Sequence, residues 1–102
     1  MLEEAVRGAN GRKRALACYQ LGLFHDNNSR EVAAIPRYRQ AIRLGLDKET
    51  EAQARAWLAS SLSKTGRPGL AAKEATRALA LTSDPELVKF LSGLKRRIER
   101  TR

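Results

Sequence analysis

The chain has 102 residues, the size of one small domain and too short for a two-domain enzyme. With 42% hydrophobic residues, 30% charged residues and three prolines, its composition is that of a folded protein rather than a disordered one. The net charge is +9, one Cys and one His argue against a disulfide framework or a single-chain zinc site, and no apolar run approaches the roughly 18 residues of a membrane span.

Residues 1–11 form an N-terminal segment in which a helical pattern from Leu2 to Arg7 is interrupted by Gly8 and Gly11. Nothing there has the charged-then-apolar order of a signal peptide, and a single Cys suits a reducing compartment, so a cytoplasmic location is expected. A first helix is predicted through Leu16, Leu21 and Gly22, ending in the polar turn His25-Asp26-Asn27-Asn28-Ser29. A second carries Ala34, Tyr38, Ala41 and Leu44 and stops near Gly45. Pro36 sits well inside it, so that helix either begins late, near Val32, or bends at the proline. Asp47 is placed to cap a third helix, whose apolar stripe is Ala54, Leu58, Ala59 and Leu62. Thr65-Gly66-Arg67-Pro68 breaks the chain: Gly suits a helix C-terminus and Pro the first position of the next helix. A fourth helix follows with Ala71, Ala75, Ala78, Leu79 and Leu81. Ser83-Asp84-Pro85-Glu86 has the form of a capping box, and Leu87, Phe90, Leu91, Leu94 and Ile98 make one stripe of a fifth helix.

The chain repeats itself at an offset of 37. Ala34, Tyr38, Ala41, Ile42 and Leu44 return as Ala71, Ala75, Ala78, Leu79 and Leu81; Ala17, Leu21 and Gly22 return as Ala54, Leu58 and Ala59; Arg30 returns as Arg67. Each pair is weak alone, and their agreement on one offset carries the inference. The small residues at matching places let neighbouring helices approach closely.

Leu21-Gly22, Ala34, Tyr38 and Ala41 resemble the pattern of the tetratricopeptide repeat, a helix–turn–helix unit of about 34 residues. The second unit matches through Leu58, Ala59, Leu62, Gly66, Ala71, Ala78 and Pro85. The departures are the longer period, Ala75 where the family prefers an aromatic, and Arg55 at its usual aromatic site in the preceding helix. The resemblance implies an all-α fold, a right-handed stack of antiparallel helix pairs in an α-solenoid of about five helices. The division is residues 12–45 for one repeat, 46–82 for the second and 83–100 for a capping helix.

No catalytic constellation emerges. Cys18 and His25 are about two helical turns, or roughly 10 Å, apart, so Cys18 reads as a small buried hydrophobe and His25 as a helix-end residue. Ser63-Lys64-Thr65-Gly66 lacks the order of a phosphate loop. Asp47, Glu49 and Glu51 read as helix-start acids favoured by the dipole rather than as a cation site. The expectation is therefore a non-enzyme with no cofactor and no metal. Trp57 is expected to pack in the core or between repeats.

In the resembled family, first helices line a concave groove that receives peptides or partner helices. By that register the groove candidates are Leu16, Tyr19 and Leu23 in the first unit, and Gln53, Ala56, Ser60, Ser63 and Lys64 in the second. The resemblance thus implies a protein–protein interaction module. A second possibility rests on the basic end, Lys95, Arg96, Arg97, Arg100 and Arg102, as a binder of nucleic acid or another polyanion. Few aromatics and the lack of a recognition-helix motif argue against nucleic acid, and cations in a last helical turn also suit the dipole. A third is a homo-oligomer formed through the end that the final helix leaves uncovered.

Overall fold

A computed structural model describes residues 11–100, so the pattern noted at Leu2–Arg7 and the basic candidate Arg102 lie outside the described residues. Among the described residues the protein is five helices with no strand: α1 (Gly11–Asn27), α2 (Glu31–Leu44), α3 (Lys48–Lys64), α4 (Pro68–Leu81) and α5 (Pro85–Arg100). α1 pairs with α2 and α3 with α4; α2 touches α3, and α5 rests on both α4 and α3. The result is an elongated body of 43 × 27 × 19 Å.

The period is built into the starts of the helices. α1, α3 and α5 begin at residues 11, 48 and 85, and α2 and α4 at 31 and 68, all 37 apart. The fifth helix therefore starts in the register of a third unit's first helix.

Local chemistry sets the helix ends. Asp47 caps α3: its carboxylate accepts the Thr50 N–H at 2.8 Å and the Thr50 hydroxyl at 3.0 Å, and these bonds hold its pKa below the ordinary carboxylate value. α2 starts at Glu31, beside the late start expected near Val32, and runs on through an exposed Pro36. The cap of α5 is Asp84 and not Ser83 of the expected box. Its Oδ1 accepts the Glu86 N–H at 3.3 Å, while Thr82 Oγ1 accepts the Asp84 N–H at 3.0 Å. The reason lies in Pro85, whose fixed φ makes it a first helical residue and leaves the preceding residue as the cap.

The two interhelical turns have one backbone solution. After α3, the Arg67 N–H reaches the Leu62 carbonyl at 2.8 Å and the Gly66 N–H reaches Ser63 at 3.2 Å, the two bonds of a Schellman motif. After α1, Arg30 reaches His25 at 2.8 Å and Ser29 reaches Asp26 at 3.0 Å in the same pattern. The motif needs a left-handed residue. Gly66 supplies it at φ 82°, but its counterpart is Ser29 at φ 58°. Ser29→Gly is expected to stabilise the fold by about 0.5–1 kcal/mol, relieved left-handed strain outweighing the added freedom of the unfolded chain. Gly66→Ala should destabilise it by about 1 kcal/mol. Thermal melts followed by circular dichroism check both; a fall in the Ser29→Gly midpoint would contradict the turn geometry.

Alanine is the commonest core residue, with Ala15, Ala34, Ala41, Ala52, Ala54, Ala56, Ala59, Ala71, Ala75 and Ala78 all fully buried. Methyl groups bring helix axes close but remove little apolar area from water. Much of the burial free energy therefore falls on a few large enclosed side chains: Tyr38, Leu58, Leu62 and Leu91. In α5 the stripe Leu87, Leu91, Leu94 and Ile98 faces inward.

Candidate functional site

Odd-numbered helices are linked across one side of the molecule by a chain of aromatic and polar contacts. The Trp57 indole N–H of α3 donates to the Tyr19 hydroxyl of α1 at 3.1 Å, and that hydroxyl donates to Gln53 Oε1 at 3.2 Å. Trp57 meets Phe90 of α5 edge to face, with ring centroids 5.3 Å apart. Behind them, Tyr19 lies 6.1 Å from the Tyr38 ring of α2. Tyr38 is fully enclosed and donates its hydroxyl to Asp26 Oδ2 at 2.9 Å. Four of the five aromatic residues thus form one run through α2, α1, α3 and α5.

The protonation of this run is fixed. Burial raises the Tyr38 pKa far above the usual phenol value, reinforced by the charge of the Asp26 carboxylate that accepts its hydrogen bond. Burial also raises the Tyr19 pKa, against the bond donated by Trp57. Both hydroxyls remain donors through the neutral range. Gln53 uses its carbonyl oxygen on Tyr19, leaving its amide N–H groups without a partner among the described residues.

The candidate groove residues separate into three groups. Leu16 and Lys64 are exposed; Leu23, Gln53, Ser60 and Ser63 are half-buried. Tyr19 is only 8% exposed, so it is a support beneath the surface more than a contact on it. Ala56 is fully buried and offers a partner no surface, which corrects its expected place in the groove. The offset explains this: Ala56 is the counterpart of Tyr19, and Tyr19 bonds to Gln53 and Trp57, which flank Ala56 one turn apart. Trp57, expected in packing, is half-buried against the core.

Sequence reasoning missed a second link. Arg55, standing where the family prefers an aromatic, bonds Glu51 at 2.8 Å and Glu74 of α4 at 2.7 Å, and Glu74 also meets Arg77 at 3.3 Å. Burial works against the Arg55 charge, but the two carboxylates outweigh it and raise its pKa. The signal was available in charge: two acids lie one turn before and nearly one repeat's half after the arginine. Glu49 is likewise engaged, accepting the Thr82 hydroxyl at 2.6 Å. Cys18 is fully buried, and burial raises its pKa against the nearby Arg37, Arg14 and Arg43 charges. At the basic end Arg96, Arg97 and Arg100 are exposed and Lys95 is half-buried. Among the described residues no helix is long and apolar enough to cross a membrane.

These features define a class, a stack of helix pairs with an aromatic-backed face and small residues at the helix contacts. A family model described as tetratrico peptide repeat matches residues 14–95, and the chain belongs to that family, whose domains generally act as non-catalytic protein–protein interaction modules. Searches of curated proteins and of solved structures found no match.

Proposed function

We propose that the protein is an adaptor that receives an extended peptide or partner helix across the face of α1, α3 and α5. The observation that supports this reading is the tied floor of that face. Tyr19, Gln53, Trp57 and Phe90 connect three helices through two hydrogen bonds and a ring contact. A floor held in this way loses little freedom when a ligand settles on it, which favours binding. Above it stand groups that read a peptide: the free amide N–H of Gln53 for a backbone carbonyl, the hydroxyls of Ser60 and Ser63, the Lys64 ammonium for a carboxylate, and Leu16 for an apolar side chain. A cytoplasmic setting fits a chain whose single thiol is buried.

The test is capture from native host lysate with Gln53→Ala and Ser60→Arg, two partly exposed sites whose replacement leaves the helices intact. A genuine partner should be retained at least about tenfold less well by both, the order of a lost hydrogen bond plus a steric block. Circular dichroism should be unchanged. Undiminished capture by both variants would reject this face as the binding surface.

A further inference from the structure

The opposite flank carries a recess of about 360 Å³ between α2 and the turn joining α3 to α4. Its apolar part comes from Val32, Ile35 and Pro36, and its cationic part from Arg39, Arg43 and Arg67. Val32 is 73% exposed, far more than any other large hydrophobic residue described. On α2 these residues fall at helical spacing on one side, so the flank is apolar at its start and cationic about 16 Å further along. Pro36 has no N–H to give to the Val32 carbonyl, which remains an acceptor beside the recess.

None of the three arginines forms a hydrogen bond or ion pair through its side chain with a described residue. Arg55, by contrast, is met by two carboxylates. Arg39 and Arg43 are one turn apart, a like-charge arrangement that costs helix stability. The repeat architecture does not require them: 37 residues on, Val32, Pro36, Arg39 and Arg43 become Gly69, Lys73, Thr76 and Ala80. An exposed apolar start, an unpaired cationic end and a cost to the fold without return are the marks of a surface completed by something else.

We propose that this recess is a second docking surface, for an acidic amphipathic segment of a partner protein. The segment's apolar side chains cover the exposed Val32 and Pro36, beneath which Ile35 is already buried, while its carboxylates pair with Arg39, Arg43 and Arg67. Guanidinium forks match carboxylates bidentately, so charge and shape are read together.

The probe is a synthetic 14-residue peptide with leucines at helical spacing and glutamates elsewhere, labelled for fluorescence anisotropy and titrated into ¹⁵N-labelled protein. Amide shifts are expected at Val32, Ile35, Arg39, Arg43 and Arg67. Combined Arg39→Gln, Arg43→Gln and Arg67→Gln should weaken binding about tenfold, or about 1.4 kcal/mol over three ion pairs. Combined Arg96→Gln, Arg97→Gln and Arg100→Gln removes the same charge elsewhere and should change it less than about twofold. Replacing the peptide's glutamates by glutamine should weaken binding at this site about tenfold, like the arginine variant, and replacing its leucines by serine should abolish it. Equal weakening by the two triple variants would overturn the proposal, since bulk charge would then suffice. Tighter binding of inorganic polyphosphate than of the peptide at these arginines would overturn it in favour of a polyanion site. Shifts confined to the face of α1, α3 and α5 would overturn it while leaving the adaptor reading in place.

Discussion

Tyr38→Ala is expected to remove about 3–5 kcal/mol of folding stability, the range for deleting a buried aromatic side chain. A domain of this size has only about 5–15 kcal/mol to lose. The effect is large because the surrounding core is mostly methyl groups. Tyr38 is fully enclosed, tied to Asp26 and backed by the Tyr19 ring. Its position also dictates Gly22: a Cβ added there would lie 2.6 Å from Tyr38 Cε1 and 2.7 Å from Cδ1. The ring cannot swing away while its hydroxyl is held, so Gly22→Ala should cost about 1–3 kcal/mol despite alanine's better helix propensity. The pair should be strongly non-additive. With the ring gone the clash is gone, and Gly22→Ala added to Tyr38→Ala should be neutral or stabilising. The second unit already has that arrangement, with Ala59 and Ala75 both fully buried. Chemical denaturation followed by circular dichroism measures all three variants. Simple additivity would mean that the two residues do not meet.

Trp57→Ala is expected to cost about 2–4 kcal/mol, below the full range for a buried aromatic because the indole is partly exposed. It joins three helices at once, donating to Tyr19 and packing on Phe90. Trp57→Phe retains an aromatic ring but loses the N–H bond and part of the indole's volume, at about 1–2 kcal/mol. That milder variant separates stability from recognition: it should melt a few degrees lower yet also retain any peptide ligand of the odd-helix face less well, because the indole N–H no longer holds the Tyr19–Gln53 pair. Thermal melts and binding assays on the same preparation distinguish the two effects. Binding unaltered in Trp57→Phe would show that the network supports the fold alone.

The architecture was largely legible because repetition converts weak signals into agreement. One alanine in a helix says nothing, but Ala34 with Ala71 and Ala41 with Ala78, all on one offset, predict where two helix pairs meet. All four are fully buried. The turns were legible as breaks but not in conformation: Gly66 announces a left-handed residue and Ser29 does not, since serine adopts that backbone only when the flanking hydrogen bonds impose it. The site was legible in part. Tyr19 and Gln53 were named separately, while their bond, and the one to Trp57, depend on how far α1 leans toward α3. Helical spacing within one segment carries no information about that lean. Ala56 was misplaced for the same reason, since a register assigns a face to a residue without saying how deeply its neighbours bury it.

The even stride of the helix starts has a further consequence for how such a chain can change. Each whole step of 37 residues returns the chain to an equivalent place in the helix pattern. A gain or loss of one complete step therefore lengthens or shortens the molecule without disturbing what lies downstream. A single residue inserted within α3, by contrast, would turn the remainder of that helix by about 100°, swinging its contacts away from α1 and α5 together. Within the described helices length can vary only in full units, whereas the connectors between them can absorb single residues.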